Sequence, residues 1–194
     1  MTLRMPQRIG VADLVFIVSA FAAAHHTDLA LDCSAVFPCS LNHLAGVTKT
    51  IEEIDEDEWD RMMNVNLRAA FFLTKAVYRK MKEQRSGRII ALTSIAGQRG
   101  GFFSGAHYCA SKGGLESMMK CFALNGAPYG ILCNCISPGV VETPMTKEEG
   151  VTADGIPLGR AAQPEELAEV IAFLVHNTYI NGATIDVNGG QLMR

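Results

Sequence analysis

The chain has 194 residues, 48% of them hydrophobic and 19% charged, with 18 glycines and a formal net charge of −3. That length suits one domain able to bury a core and is short for two, and the composition excludes a disordered, collagen-like or coiled-coil protein. With 17 basic against 20 acidic side chains and no run of Lys or Arg, the chain lacks the positive stripe that phosphate backbones require, so no nucleic-acid partner is expected.

Arg4, Arg8 and the apolar stretch 9–24 outline a secretory signal, but Asp13 interrupts it and the run is short for a membrane span, so neither export nor a membrane anchor is expected. The cysteines at 33, 39, 109, 121, 133 and 135 form no C-x-x-C pair or zinc spacing, and several lie in apolar runs. That usage fits a reduced, cytoplasmic chain without a metal site. Residues 25–44 keep no sustained period, and no element is assigned there.

Regular signals begin near residue 52. Acidic residues 55–58 mark a helix start, and Trp59, Met63, Ala70, Leu73, Val77 and Met81 follow at steps of three and four, predicting one long helix over 58–82 that Gly87 breaks. Ile89, Ile90, Ala91 and Leu92 form the short continuous apolar run of a strand buried on both faces. After a Gly-rich loop, Leu115, Met118, Met119 and Phe122 mark a second helix starting near Tyr108, and 131–136 reads as a second buried strand. Gln163, Pro164, Glu165 and Glu166 start a third helix, whose stripe is Leu167, Val170, Ile171 and Leu174. A last short strand, 183–187, precedes Asn188, Gly189 and Gly190. Strands alternating with amphipathic helices predict right-handed βαβ units and a doubly wound parallel sheet. Ligands of such sheets bind beyond the carboxyl ends of the strands, just after Leu92 and Ile136.

Chemistry-bearing residues collect there. Thr93 and Ser94 end the first buried strand. Tyr108 and Lys112, four apart, share one helix face, where an ammonium favours phenolate over phenol and makes the hydroxyl a usable general acid or base. This spacing alone also fits an accidental surface pair. Asn66 interrupts the apolar series of the first helix, and a buried amide needs a structural partner or a water to hold. Ser137, Pro138, Gly139 and Thr143 follow the second buried strand, where a Pro-Gly loop either lets backbone approach a flat ligand or simply turns.

Taken together, NVNL (64–67), GRIIALTSIAG (87–97), YCASK (108–112), ISPGVVETPM (136–145), GR with QPEELA (159–168) and NGATIDVNGG (181–190) closely resemble the classical short-chain dehydrogenase/reductase family over about three quarters of the chain. The resemblance implies a single Rossmann-like α/β domain over 1–194, divergent in 1–44 and family-like in 45–194. It makes Tyr108 the catalytic acid/base and Lys112 its activator, with both residues against the cofactor and Lys112 hydrogen-bonding the nicotinamide ribose. Ser94 is the group that polarises the substrate oxygen, with Thr93 a poorer match, and Asn66 holds a relay water. Val141 backbone and the Thr143 hydroxyl grip the carboxamide of NAD or NADP, and Pro138 and Gly139 shape that loop. The cofactor supplies hydride, interconverting a secondary alcohol and a ketone of a small-molecule sugar, polyol, steroid-like or acyl substrate. The resemblance also implies a homodimer or homotetramer packed through the two long helices; the sequence itself shows only that both carry wide apolar surfaces, with Phe71 and Phe72 beside the stripe, and these rings fit an intramolecular core as well.

The resemblance departs at the start. No glycine-rich T-G-x-x-x-G-x-G turn is present, Gly10 is the only glycine before Gly46, and His43 and Leu44 stand where the family carries two asparagines. The expectation is therefore a Rossmann-type sheet that is N-terminally incomplete, its first two strands missing or replaced by a divergent or frame-altered 1–44, with an open strand edge beside 89–92. Two other functions compete with the oxidoreductase. One is a catalytically inactive, truncated family member acting only as an oligomerisation partner. The other is a lyase or epimerase that uses the Ser, Tyr and Lys set without hydride. The loop 146–158, where family members place a substrate lid, is short, and Glu148, Glu149 and Asp154 fit either a lid or a solvated surface.

Overall fold

The structure, a computed structural model, describes residues 49–101, 104–143, 146 and 152–194, together with the backbone of two strands, 15–19 and 36–40. In chain order these are β1 (Val15–Ser19), β2 (Val36–Ser40), α1 (Glu56–Met63), a π turn (Asn64–Arg68), α2 (Ala69–Gln84), β3 (Gly87–Leu92), α3 (Ala96–Arg99), α4 (Ala106–Gly126), β4 (Ile131–Pro138), α5 (Pro164–His176) and β5 (Thr184–Val187). The strands form one parallel sheet in the order β2-β1-β3-β4-β5. The order reverses between β1 and β3, the switch point at which such sheets open a crevice beyond their carboxyl ends.

Side-chain alternation along β3 builds two layers. Ile89 and Ala91 pack with Met81, Leu115, Met119, Ile131, Cys133 and Cys135 under α2 and α4. Ile90 and Leu92 point the other way, onto Ile136, Leu174 and Val175 of the α5 side. The continuous apolar run in the sequence follows directly, because neither face of β3 meets water. Each fully buried Ile, Leu or Met contributes about 1.5–3 kcal/mol.

Three expectations change. The edge beside β3 is not open, because β1 pairs along it from Val15↔Arg88 to Val18↔Ala91, and β2 takes the outer position. The long helix is not one regular rod. The N–H of Ala69 bonds the carbonyl of Asn64, five residues back, and this π turn shifts the inward face so that Met62 and Asn66 are buried while Trp59 is 40% exposed. Helix α2 ends at Gln84 with Arg85 in the left-handed region at φ 54°, and Gly87 opens β3 instead of breaking the helix. Gly87 is glycine because a Cβ there would meet Met81 Sδ at 2.5 Å.

The third helix starts as read: Gln163 and Glu166 form a capping box with Pro164 at the first helical position. Gly10, His43, Leu44, Glu148 and Glu149 lie outside the described residues. Phe71 and Phe72 are 39% and 53% exposed, so they are not closed into the intramolecular core. Among the described residues no helix is long and apolar enough to cross a membrane.

Candidate active site

β3 delivers Ser94 to the carboxyl edge of the sheet. Its Oγ accepts the Ala96 N–H at 3.2 Å, which leaves the hydroxyl proton for another acceptor. Thr93, one residue earlier, points inward: its hydroxyl is 2.9 Å from Glu116 Oε1 and 3.1 Å from the Ile136 carbonyl. It is spent on joining β3, α4 and β4, so geometry separates the two hydroxyls that sequence alone leaves adjacent.

Tyr108 and Lys112 lie in the first turns of α4. The Tyr108 ring packs with Met62 and Ala96, next to the segment carrying Ser94. Lys112 Nζ stands 5.6 Å from the Tyr108 ring centroid and donates to the Leu92 carbonyl at 3.2 Å. Its side chain is buried, and that burial lowers its pKa from 10.5 to about 8. Close helix approach makes this depth possible: a Cβ on Gly97 would lie 2.7 Å from Gly113 N and 2.8 Å from Lys112 C. These neighbours are backbone and cannot yield, so α3 reaches α4 only through glycine.

The π turn turns Asn66 toward α4. Its Nδ2 donates to Ser111 Oγ at 3.2 Å and lies 3.0 Å from Met62 Sδ, while Ser111 Oγ donates to the Tyr108 carbonyl at 2.8 Å. Asn66 Oδ1 is buried and has no partner among the described residues, and a buried carbonyl oxygen of this kind requires one. Ser111, absent from the sequence reading, therefore couples Asn66 to the Tyr108 turn.

The loop after β4 holds the remaining candidates. The Gly139 N–H bonds Val187 O at 3.0 Å, and the Glu142 N–H bonds Ala162 O at 2.8 Å. The Val141 N–H between them has no hydrogen bond among the described residues. Thr143 Oγ1 accepts the Thr146 N–H at 3.2 Å and pairs with Thr146 Oγ1 at 3.1 Å. Thr146 Oγ1 also reaches Val141 O at 2.9 Å, so the two threonines brace the loop. Pro138 ends β4, and its carbonyl accepts the Ile95 N–H at 3.1 Å, tying this loop to the Ser94 segment. A further network escaped the sequence reading: Gln98 Nε2 lies 2.9–3.1 Å from Glu116 Oε1, Ser137 Oγ and Asp186 Oδ1.

Asn66 thus reaches the Tyr108 turn through Ser111, Lys112 stands beside the Tyr108 ring, Ala96 joins that ring to the Ser94 segment, and the Ile95–Pro138 bond ties this segment to the loop carrying Gly139, Val141 and Thr143. A buried ammonium beside a phenol and a hydroxyl with a proton to give are groups able to move a proton, and the Val141 amide has no hydrogen bond among the described residues. The features present fit the nicotinamide end of a dinucleotide. Among the described residues, Asn66 Oδ1 and the Val141 N–H have no hydrogen-bond partner, and Lys112 Nζ bonds the Leu92 carbonyl.

Residues 16–191 match the family model described as enoyl-(acyl carrier protein) reductase. The chain belongs to that family, the classical short-chain dehydrogenase/reductases. The acetoacetyl-CoA reductase of Allochromatium vinosum is 41% identical over 162 residues, covering 79% of this chain and 65% of that protein. A 3-oxoacyl-(acyl-carrier-protein) reductase of Rickettsia felis is 40% identical over 159 residues, covering 77% and 65%. A crystal structure of a 3-oxoacyl-(acyl-carrier protein) reductase of Brucella melitensis with bound NAD superposes at a TM-score of 0.74 with 28% identity, covering 93% of this chain and 62% of that one. The chain spans just under two thirds of the length of these curated relatives.

Proposed function

We propose that this chain is an oxidoreductase that uses NAD or NADP to interconvert a secondary alcohol and a ketone. The names of its relatives favour a 3-oxoacyl thioester as the ketone. The observation that carries the reading is Lys112 buried 5.6 Å from the Tyr108 ring. The bound nicotinamide supplies or accepts the hydride.

The protein's own residues do the rest. In the reductive direction Ser94 donates its hydroxyl proton to the carbonyl oxygen in a hydrogen bond and fixes its position, and the Tyr108 hydroxyl transfers its proton to that oxygen as charge develops. The Lys112 ammonium stabilises the resulting phenolate and hydrogen-bonds the ribose. A water on Asn66 Oδ1 links Lys112 toward solvent and returns the proton. Val141 N–H and Thr143 orient the carboxamide, with Pro138 and Gly139 keeping the loop close. Thr143 Oγ1 would exchange its Thr146 contact for the carboxamide.

The whole chain acts as one Rossmann-like domain in the cytoplasm, consistent with free thiols at Cys109, Cys121, Cys133 and Cys135. It assembles as a homodimer or homotetramer, a reading supported by Phe71, Phe72 and Leu124, the last 77% exposed, on the outer faces of α2 and α4. The test is oxidation of NADH and NADPH by the purified chain with acetoacetyl-CoA as acceptor. Turnover that Tyr108→Phe abolishes is the expected result. Equal turnover in wild type and Tyr108→Phe would remove Tyr108 from the mechanism.

A further inference from the structure

Gln191 comes from the turn after β5, far in sequence from the loop at 138–143, yet its side chain lies across that loop. Gln191 Oε1 accepts the Val140 N–H at 3.1 Å. A Cβ on Gly139 would overlap the same oxygen, so glycine is what lets the amide come this close. Gln191 is itself fixed at two further points: its N–H bonds Asn188 O at 3.1 Å, and its carbonyl accepts Arg99 Nη1 at 3.2 Å. Asn188 in turn closes the turn by accepting the Gly190 N–H at 2.9 Å and donating to Leu192 O at 3.0 Å.

The consequence lies in the order of amides along the loop. Gly139 N–H goes to Val187, Val140 N–H to Gln191, and Glu142 N–H to Ala162, whose own N–H returns to Val140 O at 3.0 Å. With its neighbours held on both sides, the Val141 N–H is left without a hydrogen bond among the described residues. The geometry points to Gln191 as a positioning residue: it pins Val140 so that the Val141 amide is preset to donate to the carboxamide of a nicotinamide. This rests on the proposed cofactor reading and adds a specific determinant to it. Gln191 touches neither substrate nor reacting atoms and acts only through the loop.

The test compares Gln191→Met, which keeps length and loses the acceptor, with Gln191→Glu, which keeps an acceptor oxygen, and Gly139→Ala, whose methyl displaces the Gln191 amide. Two readouts are taken on the full chain: hydrogen exchange of peptides spanning 138–143 without cofactor, and the Kd for NADH and NADPH. Loss of one neutral hydrogen bond of ordinary net strength is about fivefold in an equilibrium. Gln191→Met and Gly139→Ala are expected to exchange about fivefold faster in this loop and to bind cofactor about fivefold more weakly. For Gln191→Met the cofactor KM rises accordingly while kcat at saturation changes little, and Gln191→Glu restores both readouts.

Unchanged loop exchange in Gln191→Met overturns the proposal, whatever the cofactor does. Faster exchange with an unchanged Kd, in a wild type that binds cofactor, overturns the link from loop to ligand. A wild type that binds neither cofactor overturns the functional reading and the cofactor half of this proposal with it, while the exchange data still decide whether Gln191 holds the loop.

Discussion

Lys112→Met is expected to raise stability near neutral pH while removing catalysis, with a gain that fades as pH rises. Burial holds the Lys112 pKa at about 8 against 10.5 for the free side chain. Between those values the unfolded chain keeps a proton that the folded chain has released, so wild-type stability climbs with pH across that window. Below it both states are protonated, and the folded state carries the full cost of a buried ammonium. A drop from 10.5 to about 8 corresponds to about 3 kcal/mol.

Methionine fills the same volume without charge. It forfeits the hydrogen bond to the Leu92 carbonyl, a loss of about 1 kcal/mol that acts at every pH. The stability difference between variant and wild type should therefore fall by about 3 kcal/mol between pH 7 and 10.5, whatever its starting value. Urea unfolding of both proteins across this range measures it, and other titrating groups cancel in the comparison. A difference that stays flat with pH would refute the reasoning, because it would mean that Lys112 is solvated in the folded protein.

Tyr108→Phe is expected to leave cofactor affinity within about twofold and to lower turnover by about 10²–10⁴, the usual worth of a general acid, measured by NADH and NADPH titration followed by steady-state kinetics. Gly97→Ala places a methyl against the backbone of Gly113 and Lys112, so it should cost about 2 kcal/mol or more and lower turnover as α4 is pushed away, read by thermal unfolding and kinetics together. Met81→Ala empties a fully buried site between α2 and β3. A loss of about 2–5 kcal/mol follows, seen as a fall in Tm of about 2–4 °C per kcal/mol, with catalytic constants near wild type below the transition. Replacing Phe71 and Phe72 together by serine should shift the mass measured by light scattering toward the monomer if their exposed rings form the subunit contact.

What the sequence shows best is what burial dictates locally. β3 and β4 are legible because both of their faces are covered, so Ile89–Leu92 and the run from Ile131 carry no polar alternation. The start of α5 is legible because a capping box and a proline lie within four residues. The π turn is not, since one extra residue in a helical turn leaves no compositional mark, and the reading of one rod placed Trp59 inward. Asn66 is legible because an amide in an apolar stripe needs a partner, but Ser111, which supplies it, lies 45 residues away. Gly97 and Gly113 read only as part of a glycine-rich stretch and a helix interior, and their meaning emerges when α3 and α4 touch. Gln191 is illegible for the same reason, because its acceptor oxygen serves an amide 51 residues earlier.

Whether the side chains around Lys112 and the loop at Val141 hold a nicotinamide decides the proposed function. The most direct measurement is titration of the purified full chain with NADH and NADPH, following nicotinamide fluorescence, beside Lys112→Met. Saturable binding that is weakened in Lys112→Met, which loses its ribose contact, is the expected result. No binding at millimolar concentrations of either cofactor, or binding indifferent to Lys112, would contradict the account.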